Sequence, residues 1–292
     1  MTARIIDGKA VAARIRAGVA AESARLKAAR GIPPGLVVVR VGEDPASKIY
    51  VTAKKKAAAE VGFESREIHL QADASEREVR DTVLSLNADA AVHGILVQLP
   101  LPHQISAHRI IASIDPAKDV DGLTPISAGN MLIGRPGLRP CTPAGVMRLI
   151  EETGVSLEGA HAVVVGRSNL VGKPMAIMLL QANATVTVCH SKSDLPKEVA
   201  DAEVLVVAAG VAELVKGAWI KPGALVIDVG MNRNTDSKLV GDVEFAAAAE
   251  RASWITPVPG GVGPMTIAML LQNTLQAATV SFGDGAPGQD AD

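Results

Sequence analysis

The chain has 292 residues, 48% hydrophobic and 21% charged, with a formal net charge of -2. That length can bury a sizeable core and favours two domains, and the balanced charge gives no reason to expect nucleic acid or an anionic membrane as a main partner. The longest apolar runs fall far short of the roughly 18 residues a membrane-spanning helix needs; Cys141 and Cys189 form neither a disulfide framework nor metal-ligand spacing, which fits a reducing cytosol.

The first stretch, "ARIIDGKAVAARIRAGVAAESARLKAAR", is Arg-rich and amphipathic, as transit peptides are. Asp7 and Glu22 interrupt it, so it reads as the first helix of the fold. Strands follow over 36–41 ("LVVVRV"), 63–70 ("FESREIHL") and 94–100 ("GILVQLP"). Helices over about 45–61, 75–87 and 105–112 alternate with them, and Ser75 with Glu78 forms a capping-box pattern. Such alternation predicts parallel strands joined by crossover helices.

Between Asp115 and Pro143 the pattern turns Gly- and Pro-rich, with "DPAKDVDGLTP" and "GRPGLRPCTP", and a domain junction is placed here. Alternation resumes with a helix over about 143–153 and strands over 161–166, 184–190, 204–210 and 224–230. This second half reads as a doubly wound nucleotide-binding domain. A last helix near 264–280 crosses back to the first domain, and the tail "GDGAPGQDAD" reads as disordered.

"VVVGRSNLVGKP" joins a strand to a helix, with Gly166 at the turn. The spacing is G-x-S-x-x-x-G-x-P, and a lone Gly-rich turn is a weak signal. The amides from Arg167 to Leu170, with the helix start, can cradle phosphate, and Pro174 suits the first helical turn. An NAD site usually carries an acid after the second strand. Here that strand runs into His190, Ser191 and Lys192, with no acid before Asp194. With Arg167 close by, these donors favour the 2′-phosphate of NADP; the alternative makes Arg167 and Lys192 plain surface charges.

Tyr50 is the only tyrosine. It shares a helix face with Lys54, four residues on, while Lys55 and Lys56 point elsewhere. A lysine desolvated beside an aromatic ring can shuttle protons, although lysine runs are usually solvated faces. Gln98 falls near the C-terminal end of a strand, where open parallel sheets gather ligands. Asp119 and Asp121 lie in the junction. Asp121 has two readings, a turn residue of an Asp-Gly pair or a buried acid that bonds a guanidine-like ring edge. No His or Cys cluster supports a metal.

Together these motifs resemble the bifunctional methylenetetrahydrofolate dehydrogenase/methenyltetrahydrofolate cyclohydrolase family. The matching stretches are "YVTAKKKAAAEVG", "GILVQLPLP", "DPAKDVDG", "RPCTPAG", "VVVGRSNLVGKPMA", "TVTVCHSK", "DVGMNR" and "TPVPGGVGPMT", in the family's order, and "IIDGKAVA" resembles its N-terminus. One departure stands out: after "DVDG" the family usually carries an Asn where this chain has Ser127.

The resemblance implies an N-terminal α/β folate-binding catalytic domain over 1–140, completed by a C-terminal helix over 264–282. It implies a Rossmann-like NADP-binding domain over 141–263, a tail over 283–292 and an active-site cleft between the domains. It implies that Lys54 is the key catalytic residue, that Tyr50 positions folate, that Gln98 tunes Lys54 and that Asp121 binds the pterin. Leu99, Pro100, Pro259, Gly260, Gly261, Val262 and Gly263 would line the substrate site. Gly166, Arg167, Ser168 and Ser191 would contact NADP, with Met231 near it or simply packed. A cytoplasmic homodimer serving one-carbon metabolism and purine biosynthesis is likewise implied. Two other classes stay open on the residues alone: an NADP enzyme acting on an amino or keto acid, and a nucleotide-binding regulator without chemistry.

Overall fold

The computed structural model describes residues 2–283; the expected tail lies, from residue 284 onward, outside the described residues. The chain divides into two compact units. One combines Met1–Ala13 with Thr142–Thr266, the other Arg14–Cys141 with Ile267–Asp292.

In chain order, β1 (Arg4–Ile5) and α1 (Gly8–Arg30) come first, and α1 runs across the division between the units. The Arg14–Cys141 segment continues with β2 (Gly35–Val41), α2 (Pro45–Glu60), β3 (Glu64–Leu70), α3 (Glu76–Ala88) and β4 (Gly94–Val97). Two shorter helices, α4 (Ala107–Ala112) and α5 (Pro125–Leu132), complete it. Its sheet is parallel, in the order β3-β2-β4. All seven residues of β2 are buried, as an apolar central strand covered on both faces must be. Val37, Val39, Ile95 and Val97 of this sheet pack with Val79, Val83 and Leu86 of α3 and Ile110 of α4. The three α3 residues fall at helical spacing, so one stripe of that helix is its core face. Ser75 caps α3 by accepting from Glu78 N at 3.2 Å.

The other unit holds α6 (Cys141–Thr153), β5 (His161–Val165), α7 (Gly172–Gln181), β6 (Thr185–Cys189), α8 (Leu195–Asp201), β7 (Val204–Val207) and β8 (Leu225–Asp228). After a short antiparallel pair, β9 (Asn232–Arg233) with β10 (Leu239–Val240), come α9 (Phe245–Ala249) and β11 (Trp254–Ile255). The long α10 (Val262–Ser281) again crosses the division. The main sheet is parallel throughout, ordered β1-β11-β8-β7-β5-β6. Its strand order reverses between β5 and β7, because β6 follows β5 on one side and β7 returns to the other. In doubly wound sheets this switch point is where ligands bind, at the carboxyl ends of the strands.

The structure departs from the sequence expectation in three places. Residues 2–13, expected with 14–140, group with the Thr142–Thr266 unit, and Arg4 and Ile5 pair with Trp254 and Ile255 in its sheet. A two-residue strand whose partner lies some 250 positions on leaves no local signal. The irregular 115–143 stretch contains α5, which Thr124 caps by accepting from Ser127 N at 3.1 Å. Pro125 takes the first helical turn, where its missing N–H costs nothing. Finally, the strand expected over 94–100 ends at Val97, and Leu99–Pro100 is a cis peptide bond.

Candidate active site

Helix α2 starts where Asp44 accepts from Ser47 N at 2.7 Å and Pro45 occupies the first turn. That start fixes which face the following lysines present. Lys54 is half-buried and its Nζ donates to Gln98 Oε1 at 3.0 Å. Lys55 instead reaches Glu67 Oε2 at 3.3 Å, and Lys56 is exposed. Tyr50, one turn before Lys54, is 47% exposed.

Gln98 is buried just past β4. Its Nε2 donates to Leu99 O at 2.6 Å, which spends the amide nitrogen and leaves the carbonyl oxygen to face the lysine. Leu99 is half-buried and Pro100 exposed.

Asp121 comes from the loop after Asp119. Gly122 has φ +68°, and a Cβ there would collide with the backbone at Arg139 and Pro140. Only glycine lets the two strands of chain approach this closely. The approach brings Cys141 beside Asp121. The Cys141 thiol also donates to Val120 O at 3.3 Å. Asn273 of α10 donates to Val120 O and Arg139 O, both at 2.8 Å, and ties the same two segments together. Asp119 itself accepts from Thr124 N at 2.7 Å and from the Ser127 hydroxyl at 2.7 Å. Ser127, where the family pattern carries Asn, is thus a buried donor to Asp119.

The electrostatics follow from burial. Desolvation pulls the Lys54 ammonium below its usual range, against the opposing pull of the Asp121 carboxylate. Burial pushes the Asp121 carboxyl up, against the stabilising charge of Lys54. It also pushes the Cys141 thiol well up, so this cysteine is a neutral donor. A lysine whose charged form burial disfavours, next to an acid and a fixed amide, can take up and return a proton.

In the other unit, Gly166 follows β5 with φ +125°, and a Cβ there would overlap the Ala208 carbonyl. The loops after β5 and β7 therefore touch at the switch point. Between them lies a depression of about 420 Å³ lined by Gly166, Arg167, His190, Ser191, Ala209 and Val211, among others. Arg167 is exposed and, among the described residues, its guanidinium has no hydrogen bond or ion pair. The Ser168 hydroxyl accepts from Val171 N at 3.1 Å and Gly172 N at 3.4 Å, so it caps α7 rather than pointing freely outward. A side-chain-free turn against a neighbouring loop, with an unengaged guanidinium and a serine on its rim, fits a dinucleotide carrying a 2′-phosphate.

Residues 259–263 also belong to this unit. Val258–Pro259 is cis, Pro259 is exposed, and Gly261 and Val262 are buried where α10 begins. Gly260 lies along the Lys9 side chain, and Met231, 48% exposed, packs its Cε on Gly263. The fold thus groups Lys54, Gln98, Asp121 and Cys141 in one unit, and Gly166, Arg167 and Ser191 in the other. Cys141, Asp119 and Asn273 had no assigned role in the sequence reading; the "RPCTP" and "DVDG" motifs were the only hint to the first two. Among the described residues no group of three or more His, Cys, Asp or Glu is arranged to hold a metal ion, and no helix is long and apolar enough to cross a membrane.

Residues 6–121 match the model of the tetrahydrofolate dehydrogenase/cyclohydrolase catalytic domain, and residues 140–282 match that of its NAD(P)-binding domain. The chain belongs to the tetrahydrofolate dehydrogenase/cyclohydrolase family. It is 68% identical to Bifunctional protein FolD 2 of Myxococcus xanthus, covering 95% of this chain and 96% of that one. It is 59% identical to Bifunctional protein FolD of Geotalea daltonii, covering 94% and 99%. Among solved structures it resembles the FolD methylenetetrahydrofolate dehydrogenase/cyclohydrolase of Campylobacter jejuni, with TM-score 0.93, 47% identity and coverage of 95% and 99%. It also resembles the Trypanosoma brucei FolD solved with NADP and an inhibitor, with TM-score 0.92, 41% identity and coverage of 97% and 99%. This family member is a bifunctional, NADP-dependent enzyme of folate one-carbon metabolism, a dehydrogenase and a cyclohydrolase. The readings as an amino- or keto-acid enzyme and as a regulator without chemistry fall away.

Proposed function

We propose that the Lys54 cluster carries the folate chemistry and that the switch-point depression holds NADP⁺. The enzyme oxidises 5,10-methylenetetrahydrofolate to the 5,10-methenyl cation and then hydrolyses that cation to 10-formyltetrahydrofolate. The chemistry that bound NADP⁺ supplies is acceptance of a hydride from the methylene carbon. Gly166 would admit the pyrophosphate, Arg167 and Ser191 would take the 2′-phosphate, and Ser168 would hold the helix start in place. Met231 would lie near the cofactor.

The oxidation asks little acid–base help from the protein, because the substrate's own nitrogen lone pair expels the hydride. Asp121 would bind the pterin edge and Tyr50 would hold the flat folate. Leu99, Pro100 and the 259–263 turn would line the substrate, their small or rigid residues letting backbone approach a ring. In the second reaction water adds to the methenyl carbon. Neutral Lys54 takes the proton that the water loses, and returns one to the ring nitrogen as the carbon–nitrogen bond breaks. Gln98 keeps the Lys54 nitrogen aimed. The cationic substrate itself favours neutral lysine by like-charge repulsion.

The observation that carries this reading is the 3.0 Å contact from Lys54 Nζ to Gln98 Oε1, on a lysine that burial draws toward neutrality beside Asp121. The domain assignment proposed with it keeps 14–140 and the end of the last helix as the folate domain. A cytoplasmic setting is supported by two free cysteines. We further infer a homodimer that supplies formyl groups for purine biosynthesis. The test mixes the protein with 5,10-methylenetetrahydrofolate and NADP⁺ and follows NADPH and methenyl absorbance together. NADPH should form without lasting methenyl; steady accumulation of methenyl would reject Lys54 as a working proton carrier.

A further inference from the structure

The motif "GDVEF" (241–245) has no part in the reaction as described, yet it carries one of the most completely buried carboxylates in the molecule. Asp242 is 0% exposed, and among the described residues no cation pairs with it. A buried carboxylate must be answered by donors. Here Oδ2 accepts from Ala209 N at 2.6 Å and Gly210 N at 2.8 Å. Oδ1 accepts from Val211 N at 3.0 Å and Asn232 Nδ2 at 2.8 Å. Three consecutive backbone amides converging on one carboxylate fix the conformation of the loop after β7.

That loop is a wall of the depression beside Gly166, to which it contributes Ala209 and Val211. Asp228, at the end of β8, sets the carboxylate in place from behind. It accepts from Gly230 N, Asp242 N and Val243 N, each at 2.9 Å. Burial pushes the Asp228 carboxyl up to about 6 in spite of these donors, so near pH 7 it is still an acceptor.

We propose that Asp242, seated by Asp228 and held by Asn232, is a positioning residue for NADP⁺: it moulds the post-β7 loop into the wall of the dinucleotide pocket. The proposal rests on the reading that this depression takes NADP⁺. It touches no reacting atom, and so it acts on cofactor affinity and not on the folate chemistry of the other unit.

Asp242→Asn places an NH₂ group where an amide donor already points, and Asn232→Leu removes one donor while leaving the carboxylate in place. Loss of a charge-assisted hydrogen bond changes affinity by about tenfold. KM for NADP⁺ should rise by about tenfold or more in Asp242→Asn and by a few-fold in Asn232→Leu. Dehydrogenase kcat at saturating NADP⁺ and the cyclohydrolase rate on the methenyl substrate should stay near wild type. A purely structural role would lower both activities together.

Unchanged KM for NADP⁺ in two folded variants, or a fall in kcat without a rise in KM, overturns the proposal. Should Asp242→Asn lose cyclohydrolase activity as well, Asn232→Leu decides alone. Arg167→Ala separates this inference from the pocket reading beneath it. If Arg167→Ala raises the NADP⁺ KM and the two loop variants do not, Asp242 is only structural and the pocket stands. If none of the three moves it, the pocket assignment falls too.

Discussion

The two units solve different problems with different parts of the chain. Around Lys54 the working groups are side chains, and burial is what changes their chemistry: lysine is drawn down, Asp121 and Cys141 are drawn up. At the switch point the frame is backbone, shaped by Gly166 against Ala208 and by the amides that Asp242 gathers, with the Arg167 and Ser191 side chains on its rim. Two carboxylates make the contrast plain. Asp242 is saturated by four donors and serves as scaffold, whereas Asp121 faces a lysine and a neutral thiol and keeps its protonation chemistry open. Desolvation without full hydrogen bonding marks a candidate reactive acid, as proposed for Asp121; desolvation with it marks a structural one.

The sharpest break in this comparison is Lys54→Met. Loss of a general base should lower cyclohydrolase turnover by about 10³-fold. The fold should stay intact, since methionine keeps the apolar stem and burial already favours a protonated, neutral Asp121 once the lysine charge is gone. Lys56→Ala, on the exposed face, should leave hydrolysis unchanged. A steady-state assay on the methenyl substrate checks both, and retained turnover in the methionine variant ends the assigned role.

Next in size is Arg167→Ala, which tests the backbone-built site. It should raise KM for NADP⁺ by about 10- to 100-fold, as loss of a charged phosphate contact does, and leave NAD⁺ nearly untouched. Equal weakening of both dinucleotides would show that the guanidinium does not read the 2′-phosphate.

The smallest effect sharpens the electrostatics. If neutral Lys54 is the active form, hydrolysis gains with pH and its rising limb lies below the usual lysine value, because burial lowers that group. The Asp121 carboxylate opposes this lowering. Asp121→Asn should therefore move the limb of kcat further down in pH. A shift upward would mean that another group titrates there.

Much of this protein was legible along the chain. Short apolar runs announced β2, β5, β7 and β8, since a strand buried on both faces has no polar alternation to hide it. The i, i+4 spacing singled out Lys54 from its two neighbours, and a glycine after an apolar strand marked the phosphate turn. The Thr-Pro pair that opens α5 was also there to be seen, as a cap followed by a first-turn proline, but a Gly- and Pro-rich setting masked it.

Other features exist only in three dimensions. The pairing of β1 with β11, the thiol of Cys141 beside Asp121, and the amides gathered by Asp242 all join residues far apart in sequence. Local propensity and periodicity report on a residue's near neighbours along the chain. Burial and convergent hydrogen bonding depend on which distant segments meet, and those decide whether an aspartate is a turn, a scaffold or a reactive acid. By itself the sequence determined the order of the long strands and helices, the family resemblance and the candidate lysine. The tertiary structure alone assigned each carboxylate its environment, because desolvation is a property of the folded surroundings and not of the residue.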